Sequence, residues 1–319
     1  MSAKAAMRFV DSHTEGEPTR VVFDGLPELG EGSVREACAR LFAEHPRLRG
    51  AIVDEPRGAS ALVGVLMLPP RSPEHEATLA FINNVGTLPM CVHACVGVAR
   101  TLAHLGRMPD AAWDRSLRFA TPAGEVGVQL EADGVIAVDN VASYRLRAGL
   151  ELTTSFGTVR GDLAWGGNWF LIVEAPPVLV RAEAIEALTR LCVELRAGLD
   201  AAGIHGDDGA AIDHVQLCGP SEIADARNFV LCPGGEHDRS PCGTGTSARM
   251  ACLFADGRLS PGQRWRQEGI TGSVFVGSVA AIEHGVRPTV RGRAWVTAEG
   301  RLIFDARDDR AGLGPGRTV

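Results

Sequence analysis

Two cysteines stand where a thiol could do chemistry. Cys91 follows Asn83-Asn84-Val85-Gly86-Thr87-Leu88-Pro89-Met90 and leads into Val92-His93-Ala94. Cys242 follows Asp238-Arg239-Ser240-Pro241 and leads into Gly243-Thr244-Gly245-Thr246-Ser247-Ala248. In both segments turn-forming residues give way to a helical pattern, which puts each cysteine at the first turn of a helix. A helix N-terminus carries unpaired N–H groups and a partial positive charge. It draws a thiol pKa from about 8.5 towards neutrality. The same N–H groups can cradle a carboxylate, and Gly243 and Gly245 let the backbone approach a ligand closely.

One such cysteine suggests a nucleophile; two, in equivalent places, suggest an acid and a base. Inverting an α-carbon needs a base on one face and an acid on the other. A thiolate and a thiol facing each other across a cleft between domains supply both with no cofactor and no metal. A carboxylate held by two helix N-termini provides the electrostatic help that a weakly acidic α-proton requires. The rival is a cysteine hydrolase using Cys91 or Cys242 with a histidine, which needs one thiol and a covalent acyl intermediate. Cys38, Cys192, Cys218, Cys232 and Cys252 read instead as small buried hydrophobes. Cys91-x-His93-x-Cys95 is too closely spaced for the usual zinc pairs, and residues two apart on a helix diverge, so no metal site is expected.

The elements that must position these cysteines repeat. In the first half, Met7–Asp11, Thr19–Phe23, Gly50–Val53, Ala61–Leu68 and Ala77–Ile82 read as strands. Ser33 with Glu36 is a capping-box pattern opening a helix to about Ala43. A turn at Asn84–Gly86 then leads to a helix from near Cys91 to Gly106. In the second half, a strand at Phe170–Val173 precedes a helix from about Arg181 to Leu199, striped by Ile185, Leu188, Cys192, Leu195 and Leu199. Strands His214–Leu217 and Asn228–Leu231 follow, then a turn and a helix from Cys242 to Ala255. Strands Ser273–Val276 and Leu302–Phe304 close the chain. Both halves therefore read strands, helix, strands, turn, cysteine-headed helix.

Length and charge agree with this division. At 319 residues the chain suits two domains of about 150 residues. A net charge of −7 argues against nucleic acid, which needs clustered Lys and Arg, but leaves a zwitterionic or small anionic substrate open. Met1 to Ser12 has no apolar core of a signal peptide, and runs such as Ala61 to Leu68 are too short to span a membrane. Scattered cysteines suit reduced thiols in the cytoplasm.

The two cysteine segments together resemble the proline racemase superfamily. The likeness extends through Asp11-Ser12-His13-Thr14 with Gly16-Glu17-Pro18-Thr19-Arg20, through Glu55-Pro56-Arg57-Gly58, and through Trp165-Gly166-Gly167-Asn168-Trp169-Phe170. It continues in Ile212-Asp213-His214 and Arg227-Asn228-Phe229-Val230-Leu231-Cys232-Pro233. The resemblance implies an α/β (α+β) fold of two similar domains, each a curved sheet around a central helix, like diaminopimelate epimerase. The first would cover 1–126, with a C-terminal strand at about 298–319 returning to it, and the second 127–297. It implies Cys91 and Cys242 as the acid/base pair, with N–H groups of Val92, His93, Gly243 and Thr244 on the carboxylate. His93, His214 and Asp238 would surround the ring nitrogen.

The structural alternatives are an interior hydrogen-bonded role for His93 and His214 and an Asx turn at Asp238 before Pro241. The Asp11-to-Arg20 and Glu55-to-Gly58 motifs read mainly as structural. Within the superfamily the likeness is greatest to members that epimerise 4-hydroxyproline at C2, turning trans-4-hydroxy-L-proline into cis-4-hydroxy-D-proline. Proline racemisation and 3-hydroxyproline epimerisation or dehydration are the near alternatives, and cysteine at both positions favours an epimerase over the dehydratases. An inactive amino-acid binder is more remote. The expected partner is a small amino acid, with no nucleic acid and no membrane, and a homodimer is left open. The chain departs from the family where Val92 stands in place of glycine and Cys95 adds a third thiol. Valine resists positive φ, so Val92 can donate its N–H only where the loop already has helical φ and ψ.

Overall fold

A computed structural model describes residues 6–304 apart from 112. The fold is mixed α/β, rich in strands with few helices, and the chain divides into two compact units. One unit is built from the chain up to Val138 together with the segment from Arg293 onward; the other is Asp139–Gly292.

The first unit opens with β1 (Ala6–Thr14) and β2 (Glu17–Asp24), an antiparallel hairpin. Its two-residue turn puts Glu15 at φ 49° and Gly16 at φ 100°, the left-handed pair that matches strand twist. Helix α1 (Val34–Glu44) starts at Ser33, whose hydroxyl and Glu36 close the expected capping box. Next comes α2 (Leu48–Val53). A strand over Gly50–Val53 was the expectation, and helix is the finding. Leu48 and Ile52 lie one turn apart and both enter the core with Val22, Leu41 and Leu66. A run this short carries too few residues for its period to decide between helix and strand. Strands β3 (Val63–Leu68) and β4 (Ala77–Ile82) are buried at every residue. Then follow β5 (Thr87–Leu88), α3 (Val92–His104), β6 (Leu117–Thr121), β7 (Gly124–Leu130) and β8 (Ile136–Asp139).

The second unit contains β9 (Tyr144–Thr154), β10 (Gly157–Trp165), β11 (Trp169–Val173), α4 (Ile185–Ala201), β12 (His214–Gly219) and β13 (Ala226–Leu231). Helix α5 (Gly243–Ala255), β14 (Trp265–Glu268), β15 (Val274–Ile282) and β16 (Gly285–Gly292) complete it. The final strand, β17 (Ala294–Ile303), pairs antiparallel with β1 in the first unit. Of the C-terminal segment expected over 298–319, residues 305–319 lie outside the described residues.

The pairings run in one order in both units. In the first, β1–β2 is antiparallel, β2–β3 parallel, β3–β4 antiparallel, β4–β6 parallel and β6–β7 antiparallel. In the second, β10–β11 is antiparallel, β11–β12 parallel, β12–β13 antiparallel, β13–β14 parallel and β14–β15 antiparallel. Parallel neighbours need a crossover, usually a helix. The first crossover carries α1 and α2 in one unit and α4 in the other. The second carries α3 and α5, the helices headed by Cys91 and Cys242.

Both cysteine-headed helices are buried almost all round, unlike the one-sided α4. Helix α3 packs on β1, β2 and β17, and α5 on β9, β10, β15 and β16. Among the described residues no helix is long and apolar enough to cross a membrane.

Candidate active site

In the first unit Cys91 is the residue that caps α3, with extended backbone at φ −147°. Its carbonyl accepts the Cys95 N–H at 3.1 Å. Its Sγ lies 3.3 Å from Nδ1 and 3.7 Å from Nε2 of His93, so the thiol rests along the edge of an imidazole. Val92 opens the helix and is buried, and it is absent from the residues with positive φ. Helical backbone therefore accommodates valine where glycine is usual. Thr14 at the end of β1 donates its hydroxyl to the His93 carbonyl at 2.9 Å, pinning the first turn.

The Asp11-to-Arg20 motif is the scaffold behind this turn. Arg20 holds Asp11 through two hydrogen bonds of 2.8 Å and donates to the Ile52 and Arg57 carbonyls, while its guanidinium lies over the Phe9 ring. Cys95 is fully buried, and burial pushes its thiol far up.

In the second unit Cys242 caps α5 with φ at 57°, left-handed and costly for a residue with a Cβ. Its neighbours enforce the conformation. Asp238 Oδ1 accepts both the N–H and the hydroxyl of Ser240 at 2.8 Å, and Ser240 Oγ accepts the Cys242 N–H at 3.2 Å. The Pro241 carbonyl is held by Asn228 at 2.7 Å and by Thr246 at 3.1 Å. The Thr246 N–H reaches the Cys242 carbonyl at 2.8 Å. Asp238 is thus the Asx turn that its place before Pro241 suggested, and it also sits against the thiol.

Charge around Cys242 runs opposite to the expected lowering. Burial raises its thiol well above the usual range and the Asp238 charge raises it further. The Gly245 N–H and the Thr244 hydroxyl, 3.8 Å from Sγ, oppose the rise without reversing it. Burial and the Asp238 charge thus favour the protonated thiol of Cys242. A Cβ on Gly245 would meet Gln216 Oε1 at 2.3 Å, Phe170 Cε1 at 3.1 Å and Cys242 Sγ at 3.2 Å, so only glycine lets this turn close on the sulfur.

His214 begins β12, buried, with its ring 4.7 Å from that of Phe170. Phe170 in turn belongs to the apolar cluster that contains Cys242. Each unit thus assembles its own share: Cys91, Val92 and His93 in one; Cys242, Gly243, Thr244, Asp238 and His214 in the other. Among the described residues no group of three or more His, Cys, Asp or Glu is placed to hold a metal. Cys38, Cys192, Cys218 and Cys252 are buried and Cys232 half-buried.

Several supporting residues carry no signal of their own in the sequence. Asn168 donates to Thr244 Oγ1 at 3.2 Å, and Asn140 to the Gly166 carbonyl and Ser247 Oγ. Asn168 lies in the Trp165-to-Phe170 motif, so its membership in that run was the available clue. Nothing marked Asn140.

The first helical turns of α3 and α5 present N–H groups with no acceptor inside the helix, each beside a buried thiol. The chain is an enzyme of the racemase and epimerase class of isomerases, as its relatives make plain. It is 48% identical over 302 residues to a protein of Xanthomonas campestris pv. campestris called 4-hydroxyproline 2-epimerase, covering 94% of this chain and 96% of that one. A Roseibium aggregatum protein of the same name is 47% identical over 312 residues, covering 96% and 99%. A crystal structure of a hydroxyproline epimerase from Agrobacterium vitis with bound trans-4-OH-L-proline shares the fold, with a TM-score of 0.89 at 24% identity over 98% of this chain and 96% of that chain. The family model described as proline racemase matches residues 9–312. The chain belongs to the proline racemase family.

Proposed function

We propose that this protein epimerises 4-hydroxyproline at C2, interconverting trans-4-hydroxy-L-proline and cis-4-hydroxy-D-proline, with Cys91 and Cys242 as the acid/base pair. The observation that carries the reading is the equivalence of the two cysteines: each caps the buried helix of the second crossover in its unit. Near-full-length relatives at 45–48% identity named for this reaction support the substrate. The matching order of strand pairings supports two similar α/β domains of the diaminopimelate-epimerase kind.

In this reading the two thiols face opposite sides of the substrate α-carbon. One, as thiolate, takes the α-proton, and the other, as thiol, delivers its own proton to the opposite face. Each ends in the state in which the other began, so the reverse reaction needs nothing further. The N–H groups of Val92, His93, Gly243 and Thr244 hold the carboxylate as negative charge develops on it. His93, His214 and Asp238 surround the ring nitrogen. Burial and the Asp238 charge favour the protonated thiol at Cys242, the form that delivers a proton.

The test is proton NMR of trans-4-hydroxy-L-proline with reduced enzyme in D₂O. Growth of the cis-D epimer with loss of the α-proton signal is expected, and Cys91→Ser and Cys242→Ser should each abolish it. Activity surviving one of the two changes would point to one-thiol chemistry. If hydroxyproline and proline both bind and neither exchanges, the protein is a binder.

A further inference from the structure

We propose that Asp213 is a positioning residue that holds the hydrogen of His214 on Nδ1, leaving Nε2 to accept a hydrogen bond, so that the site selects cyclic amino acids presenting an N–H or O–H donor there. This rests on the epimerase reading, in which His214 meets the substrate ring. Nδ1 of His214 lies 2.7 Å from Asp213 Oδ1. An ionised carboxylate can only accept, so Nδ1 carries the hydrogen, and in the neutral ring the lone pair falls on Nε2.

The ring cannot easily turn to exchange these roles. The side chain is 4% exposed, and Phe170 packs against it with the rings tilted by 36°. The main chain beside it is fixed as well. Arg196 of α4 donates Nη1 to the carbonyls of Asp213, Cys232 and Pro233 at 3.4, 3.2 and 3.1 Å. Nε2 makes no hydrogen bond to the described residues and is left to take one from a ligand.

The chemistry of that atom defines what it recognises. A bare imidazole nitrogen takes a hydrogen bond from a secondary ammonium or a ring hydroxyl and is repelled by a carbonyl or ether oxygen in the same place. Asp213, with its side chain 43% exposed, meets the ring at Nδ1 and acts only through His214. Removing it frees the imidazole to take up the other tautomer, with Nε2 protonated and unable to accept.

The test uses the full chain labelled with ¹⁵N-histidine at neutral pH, the His214→Gln spectrum assigning the signal. The wild type should show a protonated Nδ1 and a bare Nε2 at His214, and Asp213→Ala should show protonated Nε2 or a mixture. In epimerisation assays Asp213→Ala should raise KM for trans-4-hydroxy-L-proline ~10-fold or more, the effect of one lost hydrogen bond, with kcat changed less. Asp213→Glu should recover part of the loss. A protonated Nε2 in the wild type, or an unchanged KM in Asp213→Ala, overturns the proposal. A kcat loss in Asp213→Ala with an unaltered tautomer overturns it too. A wild type with bare Nε2 that is inert to hydroxyproline sinks the epimerase reading and the selectivity with it, while the Asp213–His214 lock stands.

Discussion

Raising the pH from 8 to 10 under reducing conditions should remove most of the stability of this protein, because its folded state hoards thiol protons. Burial pushes the thiols of Cys38 and Cys218 up to about 11, and those of Cys95, Cys192, Cys242 and Cys252 also upward. In the unfolded chain each returns to an ordinary value of 9.0. A group whose pKa is raised by folding stabilises fully below the unfolded value, and that contribution is lost as pH climbs towards the folded value. Each retained proton costs about 1.4 kcal/mol per pH unit. Six such thiols therefore cost about 8 kcal/mol between pH 8 and 10, against a typical total of about 5–15 kcal/mol. Few other groups compete in this range, since the chain has one lysine, Lys4, and one tyrosine. That tyrosine, Tyr144, is raised by burial and by Asp207 and adds to the same trend.

Urea titrations at pH 8, 9 and 10 with a reductant would measure this loss. Cys192→Ala provides the internal check. Whatever its stability at pH 8, the fall from pH 8 to 10 should shrink by about 1.4 kcal/mol, one thiol's share. A total loss below about 2 kcal/mol, or one undiminished in the variant, would refute the linkage argument.

Gly245→Ala drives a methyl group into Gln216 and the Cys242 sulfur. It should cost about 1–3 kcal/mol by overpacking and at least ~100-fold in epimerisation by displacing the thiol, read by thermal melting and by α-proton exchange; wild-type exchange would disprove the contact. Arg20→Met leaves Asp11 and two carbonyls without their donor. Denaturant curves should show a loss of about 3–5 kcal/mol while KM of the folded fraction stays near wild type, and a KM change would give this motif a role at the substrate.

The cysteine-headed helices were legible because Pro89, Gly86, Pro241 and Gly243 punctuate the chain around them. The fully buried strands β3, β4 and β11 were legible as apolar runs. The stretch from Leu117 to Trp165 names no strand by its pattern and yet holds five. Strand β9 carries Arg145, Arg147 and Gly149, and its register with β10 slips at Gly161 and Leu163, so neither shows clean alternation. In the site, residue types pointed to the thiols and histidines, whereas the left-handed backbone of Cys242 and the contacts of Asn140 are set by distant segments. Likewise the direction of the Cys242 shift could not be read from a helix terminus, since burial outweighs it.

The pairing of β17 with β1 bears on how the chain becomes a protein on the ribosome. The second unit is one uninterrupted stretch, Asp139–Gly292, and its sheet can close as soon as that stretch has emerged. The first unit is synthesised earlier and finished later. Strand β1, the side of the sheet against which α3 packs, keeps an open edge until the last strand arrives almost 300 residues after it. The unit whose first strands emerge earlier is thus the one that must wait for β17, and a chain stopped short of Arg293 would leave the Cys91 unit unsealed although the Cys242 unit is complete.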